Sequence, residues 1–401
     1  MISVAEAIQI VKERTRALPP ERVALANALG RFLAEDIIAD SDLPPFDRSQ
    51  MDGYAVRAAD TQNAPARLRI VGESAAGHGW HQEMKAGEAV RIMTGAPIPS
   101  GADSVQQVEL TREIDSFVEI QQSVQTGRSI VRRGLEIKAG ATVLHAGEKI
   151  NAAMMATLAS FGYAQVKVGR QPRLAVLATG SELVSVDQEP TQDQIRDSNN
   201  YSITAYAELA GATVERLSLT GDDTMLLKNQ IAEAAEDSDV VVTSGGVSMG
   251  VYDFTKSALK ELDCEILFER VSLRPGKPTV FALLPGGTLA FGLPGNPVSV
   301  SVTFNLFART ALLAMQGAKE AALIEEWAVL ARGVKGSVER ESYLPAWLRT
   351  SEEGDLLVEP LKWAGSSDFV AFTRATALII VPQGARPLET GTTVKVVRLP
   401  V

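Results

Sequence analysis

The stretch VVVTSGGVSMGVYD, residues 240–253, joins an apolar β-branched run to a loop rich in glycine and serine that ends in a carboxylate. β-Branched residues favour strands, and glycine lets the backbone adopt positive φ angles and approach a ligand closely. An ordinary turn needs fewer special residues. The stretch therefore predicts a buried strand followed by a loop that either binds an anion or only turns the chain. Two interpretations of Asp253 stay open: a metal-binding acid, or the N-cap of the next helix.

Strand-like and helix-like segments alternate around this stretch. The apolar runs RLAVLATG, TVERLSLTG and DVVVTSGG are separated by amphipathic segments such as SNNYSITAYAELAGA and DDTMLLKNQIAEAAED. Near-continuous apolar strands spaced by helices are typical of a parallel sheet covered on both faces. We therefore predict an α/β multidomain protein whose centre, residues 169–319, is a three-layer α/β domain with a parallel or mixed sheet.

The rest of the chain divides into three further predicted domains. Short β-prone pieces separated by Gly, Pro and Ser predict a β-rich inserted domain over residues 45–140, and the same texture predicts a smaller β domain over residues 320–401. Residues 1–44 and 141–168 carry helical and extended patterns, and the first of these segments is too short to form a domain alone. We therefore predict that the two segments form one discontinuous N-terminal domain.

Helical patterns in these flanking segments can be placed more closely. Val4, Ile8 and Val11 follow 3- to 4-residue spacing, which predicts a helix near the N-terminus. A second apolar stretch, through Val23 and Phe32, predicts another helix after two prolines. The segment INAAMMATLASFGYAQVKV predicts a helix that ends in a strand-like tail.

Composition excludes several classes of protein. The net charge of -10 and the pI of about 5.1 make nucleic acid a poor partner, because the surface repels polyanions. Cys264 is the only cysteine, which excludes an intrachain disulfide and a cysteine-cluster metal site. No apolar run approaches the roughly 20 residues that span a bilayer, and the N-terminus lacks a signal-type apolar core. We therefore expect a cytoplasmic protein without membrane or nucleic-acid partners.

Four other loops bring polar groups to predicted strand ends. LATGSEL and TGDD add the acids Glu182 and Asp222, of which the second is equally consistent with a helix N-cap. SLRPGKP holds Arg274 and Lys277 on a stiff Pro-Gly turn, which suits a phosphate or another oxyanion. FGLPGNPVSV starts a helix whose N-terminus, with Ser299 in its first turn, can bind an anion. Ligands of open α/β sheets bind at this edge, so we expect the loops to form one site.

The predicted β-rich insertion holds a further polar stretch, LPPFDRSQMDGYAV, at residues 43–56. Asp47 and Asp52 flank its central segment, and Thr94 follows later in IMTGAPIPSGAD. An Asx turn is the favoured interpretation of Asp47. For Asp52, a turn residue and a functional acid both stay open.

Eight motifs occur along the chain in the order PPFDRSQMDGYAV, MTGAPIPSGAD, RRGLEIKAGATVL, ATGSEL, IRDSNNY, TSGGVSMGVYD, RPGKP and GLPGNPVS. As a set they are highly specific, although each alone is a weak signal. Through them the chain resembles the MoeA family, whose eukaryotic counterpart is the gephyrin E domain. The resemblance covers essentially the whole chain.

The resemblance implies an enzyme, a molybdopterin molybdenumtransferase. Members of the family insert molybdate into adenylylated molybdopterin and release AMP, with a divalent cation such as Mg²⁺. Molybdopterin is then part of substrate and product rather than a resident group. The resemblance also implies a homodimer whose active site lies between the α/β domain of one subunit and the β-rich insertion of the other. The adenylyltransferase that supplies the substrate and downstream molybdoenzymes are further implied partners.

Roles for individual residues follow from the matching motif positions. The resemblance implies that Asp52, Glu182, Asp222 and Asp253 are catalytic, and that the last three bind the metal. It places Arg274, Lys277, Pro278 and Ser299 in the region that holds molybdate. The other predicted substrate-binding residues are Thr94, Thr179, Gly180, Ser181, Ser244, Gly245, Gly246, Ser248, Pro294 and Pro297.

The chain departs from the family pattern at residues 131–136. The family reads Arg, any two residues, then Gly-Glu-Asp, whereas this chain has Val131, Leu135 and Glu136 in place of the Arg, Glu and Asp. Three other functions therefore stay open. They are a tungstate-specific insertase, a molybdopterin-binding or scaffolding protein with reduced catalysis, and a nucleotide-cleaving hydrolase that uses only residues 173–310.

Overall fold

The computed structural model describes residues 1–219, 221, 223–246 and 254–400. Three predicted site residues, Asp222, Ser248 and Asp253, lie outside the described residues. The chain forms two compact units, which we call the inserted unit and the main unit. The inserted unit consists of Asp36–His145 and Ala156–Ala164, and the main unit of Met1–Glu35, Ala146–Met155 and Gln165–Val401. The division of the chain into four domains stays a prediction.

The inserted unit is rich in β-strands, as predicted. Tyr54 and Val56 pack on one side of its main sheet and Ala55 on the other, because successive strand residues point to opposite faces. The sheet order is Ser104–Gln107, Gly53–Val56, Glu88–Ile92, Ala66–Ser74, Phe117–Ile120 and Thr111–Ile114. Two short antiparallel ladders join Arg48–Ser49 to Ile130–Val131 and Ile37–Ile38 to Thr142–Leu144.

The N-terminal part of the main unit differs from the prediction in one element. The first predicted helix is present as Val4–Arg14, with Ser3 as its N-cap. The second predicted helix is wrong: Glu21–Ala24 is a strand, followed by a 3₁₀ turn, Leu25–Asn27. This strand pairs antiparallel with Gln165–Val168. A short apolar run fits the helix period and the strand period alike, and pairing with a distant strand decides between the two. The chain between these strands includes the helix Ala152–Ser160.

A six-stranded sheet forms the centre of the main unit. In chain order its strands are β1 Arg173–Ala178, β2 Thr213–Arg216, β3 Val240–Ser244, β4 Glu265–Phe268, β5 Val280–Leu283 and β6 Leu289–Leu293, and they pair in the order β2-β1-β3-β6-β5-β4. Strands β2, β1, β3 and β6 are parallel, which confirms the predicted arrangement for these four. The sheet as a whole is mixed, which is one of the two predicted forms, since β5 pairs antiparallel with both neighbours. Only residues 284–288 connect β5 to β6, and so short a connection permits only a hairpin.

Helices cover both faces of the sheet. In β1, Leu174 and Val176 face one buried cluster, whereas Ala175 and Leu177 face the other. The first cluster includes residues of the helices Val4–Arg14, Asn199–Leu209 and Pro297–Thr303, and the second includes residues of Thr224–Asp237 and Phe254–Glu261. The predicted three-layer α/β architecture is thus confirmed.

A long apolar helix follows β6. It runs from Pro297 to Met315 through a π-helical segment, Phe304–Ala308. Among the described residues it is the one helix long and apolar enough to cross a membrane, with a mean hydropathy of 1.4. However, 89% of that window is buried inside the protein. The helix therefore packs as a core element.

A closed β-barrel completes the main unit. Its strands are Glu325–Leu330, Glu341–Thr350, Leu356–Pro360, Ala377–Val381 and Thr393–Arg398. The ring closes because Glu341–Thr350 pairs with both Leu356–Pro360 and Ala377–Val381. The short strand Leu273–Arg274 adds to the barrel beside Glu341 and Ser342, and the short helix Phe369–Phe372 precedes the fourth strand. The barrel is the predicted C-terminal β structure.

Candidate active site

A cavity of about 950 Å³, which we call the strand-end cavity, opens at the carboxyl ends of β1, β3 and β6. This is the edge at which open α/β sheets bind ligands. The loops after these three strands all contribute to it, as the sequence predicts. Its lining includes Thr179, Gly180, Glu182, Ser244, Gly245, Gly246, Pro278, Pro294 and Pro297. Ser181 is exposed and does not line this cavity.

Hydrogen bonds connect the three strand-end loops to one another. The amide of Thr179 donates to the Ser244 carbonyl at 2.9 Å, and the amide of Gly245 donates to the Leu293 carbonyl at 3.1 Å. The side-chain Nδ2 of Asn199 donates to Ser244 Oγ and to the Gly295 carbonyl, each at 2.7 Å. Asn199 is buried and was not predicted as a site residue. It fixes two loops at once, so the cavity wall has a defined shape before any ligand binds.

The two glycines after β3 are required by geometry. Gly245 has a φ of +92°, and a Cβ placed on it would lie 2.4 Å from the Thr179 carbonyl oxygen. Gly246 has a φ of +64°, and its Cβ would lie 2.9 Å from Thr255 Oγ1. Side chains are therefore excluded at both positions by conformation and by space. Gly245 and Gly246 therefore let the β1 and β3 loops touch and leave backbone at the cavity surface.

One of the three predicted metal ligands lies among the described residues. Of the three predicted ligands, Asp222 and Asp253 lie outside the described residues, and Glu182 lines the cavity with an exposed side chain. Within residues 1–219, 221, 223–246 and 254–400, no group of three His, Cys, Asp or Glu side chains could hold a metal ion. The described residues alone therefore do not make a divalent-cation site. The N-cap of the helix after β2 is Asp223, whose carboxylate accepts from the amides of Met225 and Leu226.

Asp197 is a buried acid of the cavity that was not predicted. It lines the cavity with only 4% of its surface exposed, and its Oδ1 accepts from the Asn200 amide at 3.1 Å. Burial raises the pKa of its carboxyl group, although hydrogen bonds from the backbone of Asn200 and Asn199 act in the opposite direction. A buried carboxylate with a raised pKa at a cavity is a common feature of functional sites.

We expect Asp197→Asn to stabilise the protein relative to the wild type, increasingly so as the pH rises from about 4 through the folded-state pKa of Asp197. Since the folded-state pKa is raised above the ordinary 3.8, the contribution of Asp197 to stability is present below that value and is lost as pH rises through the folded pKa. Urea unfolding of both proteins across this range measures the difference. The exposed Asp193→Asn makes the same charge change and serves as the control. A difference independent of pH would contradict the expectation.

A second cavity, of about 680 Å³, adjoins the first, and we call it the cation cavity. The two share Pro278, Pro294 and Asn296 as lining residues. The predicted Arg274, Lys277 and Ser299 line the second cavity rather than the first. Three further cations line it as well: Arg332, Lys335 and Arg340. Among the described lining residues there is no carboxylate side chain, so the cavity is strongly positive in a chain whose net charge is -10.

The barrel positions the cations that sequence reasoning missed. Leu273–Arg274 pairs in parallel with Glu341 and Ser342, next to Arg340 on the chain. Arg340 Nη1 donates to the Leu273 carbonyl at 3.2 Å, while its Nε is buried and has no hydrogen-bond partner. The spacing of Arg332 and Lys335 in RGVK was a signal that could have been noticed. Their proximity to Arg274 follows only from the barrel pairing.

The inserted unit holds the predicted pair of Asp52 and Thr94. The amide and the hydroxyl of Thr94 both donate to Asp52 Oδ1, at 2.7 and 2.8 Å. These two hydrogen bonds lower the pKa of Asp52. Both residues are exposed, and Oδ1 accepts both hydrogen bonds. The pair is therefore an oriented, ionised carboxylate at the surface of the inserted unit.

The loop that departs from the family pattern is held by ion pairs. Asp47 accepts from the Arg133 amide at 2.8 Å and from Arg132 Nη1 at 2.6 Å, so the predicted Asx turn is wrong and its carboxylate bridges two loops. Glu136 pairs with Arg48 at 3.4 Å. Leu135 is 69% exposed, so a Glu at this position would be at the surface. The substitutions therefore keep a folded loop.

Comparisons with known proteins agree along the whole chain. The family description "MoeA N-terminal region (domain I and II)" matches residues 2–162, "Probable molybdopterin binding domain" matches 175–314, and "MoeA C-terminal region (domain IV)" matches 328–399. A molybdopterin molybdenumtransferase of Staphylococcus aureus (strain COL) is 37% identical over 400 residues, which are 99% of this chain and 95% of the relative. A molybdopterin molybdenumtransferase of Bacillus subtilis (strain 168) is also 37% identical, over 98% of this chain and 93% of the relative.

A solved structure shows the same architecture. The molybdopterin biosynthesis moeA protein from Pyrococcus horikoshii OT3 superimposes with a TM-score of 0.85 and 27% sequence identity. The match covers 100% of both chains. The fold of this chain is therefore one that a solved moeA protein also has.

Proposed function

The chain belongs to the MoeA family and is a transferase of molybdenum cofactor biosynthesis, and we propose that it inserts molybdate into adenylylated molybdopterin with release of AMP. The single observation that carries this proposal is the pair of adjoining cavities. One lies at the strand ends of the α/β sheet and suits the nucleotide-pterin substrate. The charged residues that line the other are all cations, which suits a dianion.

The cation-lined cavity would hold molybdate. Its lining cations, Arg274, Lys277, Arg332, Lys335 and Arg340, offer charge-assisted donors to an oxyanion, and no described carboxylate there opposes its charge. Ser299 lines the same cavity within the first turn of the helix that begins at Pro297. Because Pro278, Pro294 and Asn296 belong to both linings, an anion there would lie beside the substrate.

The strand-end cavity would hold the adenylylated molybdopterin. Gly245 and Gly246 expose backbone to the phosphates, and Asn199 keeps the loops in register. An oxygen of molybdate or of water attacks phosphorus and breaks the pyrophosphate link, so AMP leaves and the protein needs no nucleophile of its own. Its described residues bind the two reactants, orient them and supply a positive field.

A divalent cation, predicted to be Mg²⁺, would neutralise charge at the pyrophosphate link. Glu182, Asp222 and Asp253 are the proposed ligands. A cytoplasmic location, an adenylyltransferase that supplies the substrate and molybdoenzymes that receive the product remain parts of the same proposal.

The proposed enzyme is a homodimer in which Asp52 of one subunit completes the cavities of the other. We therefore expect Asp52→Ala and Arg274→Ala, each impaired alone, to regain about a quarter of wild-type activity after subunit exchange. Random exchange makes about half of the dimers mixed, and one of the two sites in each is then intact. Steady-state rates at limiting molybdate measure the recovery.

A matched mixture controls for nonspecific rescue. Asp52→Ala mixed with Thr94→Ala places both changes in the inserted unit, so every site of a mixed dimer keeps one defect. This mixture should show no recovery. Equal recovery in both mixtures, or none in the first, would contradict the shared site.

The proposed activity is tested by incubating the protein with adenylylated molybdopterin, Mg²⁺ and molybdate. AMP release that depends on molybdate and equals cofactor formation would support it. AMP release without cofactor formation would favour a hydrolase. AMP release that depends on tungstate but not on molybdate would identify a tungstate-specific insertase.

A further inference from the structure

An aromatic side chain at the mouth of the strand-end cavity has no assigned role. Phe369 is the first residue of the short helix Phe369–Phe372, and 49% of its surface is exposed. It lines the strand-end cavity and also a smaller one of about 280 Å³. The two cavities share Ser198, Pro297 and Phe369, so the ring lies at their common border.

The helix that carries Phe369 is held in place at its start. Asp368 caps it, since Oδ1 accepts from the Ala371 amide at 3.1 Å and Oδ2 accepts from the Ala364 amide at 2.9 Å. The second of these hydrogen bonds holds the chain before the helix, at Ala364, close to the Asp368 side chain. A half-exposed phenylalanine on such a fixed turn keeps its place without burial of its ring.

The same segment is attached to the wall of the α/β cavity. Asn296 Nδ2 donates to Ser366 Oγ at 3.0 Å, and the amide of Val298 donates to the Ser366 carbonyl at 3.0 Å. These contacts join the segment before Phe369 to the loop after β6. Hydrogen bonds therefore hold the segment that carries Phe369 against the loop after β6.

The ring is available to a ligand. No stacked or edge-on aromatic pair among the described residues includes Phe369. The other aromatic lining residue of the strand-end cavity is Phe254, which packs against the core cluster that contains Ala175 and Leu177. A flat heteroaromatic ring gains affinity by stacking on an exposed aromatic side chain, whatever its hydrogen-bonding edge.

We infer that Phe369 is a positioning residue that stacks on a flat heteroaromatic ring of the substrate. The inference rests on the proposed function, whose substrate contains two such rings, the pterin and the adenine. Stacking would fix the plane of one ring, while the glycine loops hold the phosphates.

The test compares Phe369→Leu with Val370→Ala, a control on the same helix. Val370 is 67% exposed and lines neither of the two cavities. Binding of AMP and of molybdopterin is measured separately by calorimetry. We expect Phe369→Leu to bind one of the two about tenfold more weakly, and the other within about twofold of the wild type. The weakened ligand identifies the stacked ring.

A second variant keeps the test decisive if Phe369→Leu disturbs folding. Phe369→Trp should retain affinity, and its additional fluorescence, relative to wild type, should be quenched by the stacked ligand. Absence of quenching, or unchanged affinities for both ligands in Phe369→Leu with wild-type turnover, would overturn the stacking role alone. Failure of the wild type to bind either ligand would instead overturn the proposed function and this inference together.

Discussion

Arg274→Ala is expected to raise the KM for molybdate by about 10- to 100-fold while leaving the affinity for AMP within about twofold. A hydrogen bond to a charged group contributes about 1.5–3 kcal/mol, and about 1.4 kcal/mol corresponds to a factor of ten. Arg274 lines the cation cavity and not the strand-end cavity, so the two reactants should respond differently. Initial rates at varied molybdate, with AMP binding measured separately, separate the effects.

Arg349→Ala is the matched control for Arg274→Ala. Arg349 lies on the barrel strand Glu341–Thr350, is exposed, and lines neither cavity. Its removal lowers the net charge by the same amount and should leave the KM for molybdate unchanged. Equal effects of the two variants would mean that the overall field, rather than the cavity, attracts molybdate. Equal loss of molybdate use and AMP binding in Arg274→Ala would contradict the division of the site into two parts.

Gly245→Ala is expected to lower kcat/KM at least about 100-fold, since a 1 Å displacement in a reacting geometry can cost that much. Alanine at a φ of +92° is strained, and its Cβ would lie 2.4 Å from the Thr179 carbonyl oxygen. The loop after β3 must move away from the loop after β1. We also expect a loss of about 1–3 kcal/mol in the free energy of unfolding. Enzyme kinetics and urea unfolding measure both effects.

Gly295→Ala controls for the loss of a glycine from the same cavity. Gly295 lines the strand-end cavity, but the nearest atom to an added Cβ is Gly245 Cα at 3.7 Å, an ordinary van der Waals distance. Its carbonyl can still accept from Asn199. We expect kcat/KM within about threefold of the wild type, because nothing need move. Similar losses in both variants would show that the tight approach of Gly245 to Thr179 has no special role.

Local sequence patterns predicted the parts of the site that come from one strand and its following loop. β1 and β3 are continuous apolar runs, and each is followed by glycine and hydroxyl residues where the chain leaves the sheet. Parallel strands bring such loops to one edge, so their convergence could be inferred without coordinates. The family resemblance then supplied roles for individual side chains, including Asp52 and Thr94, which periodicity alone left undecided.

Residues that reach the site through long-range pairing could not be predicted in this way. Arg332 and Lys335 follow a barrel strand, and only the pairing of Leu273–Arg274 with Glu341 and Ser342 shows why barrel cations share a cavity with Arg274. Asn199 looks like an ordinary residue at the start of a helix. Its contacts with Ser244 and Gly295 span 45 and 96 positions.

The incorrect prediction of a second N-terminal helix has a related cause. The apolar stretch after the prolines fits a helix as well as a strand, and Glu21–Ala24 becomes a strand because Gln165–Val168 is available to pair with it. That partner lies far away in the sequence. Apolar texture alone left the sheet parallel or mixed, and the short β5–β6 connection makes it mixed because it permits only an antiparallel pair.

Anomalous diffraction at the molybdenum edge, from crystals soaked with molybdate and AMP, tests the central claim most directly. The two cavities are proposed to hold the two reactants side by side. We predict a molybdenum peak in the cavity lined by Arg274, Lys277 and Arg340, with AMP density in the adjoining strand-end cavity. A molybdenum peak elsewhere, with the cation cavity empty while AMP is bound, would contradict the account.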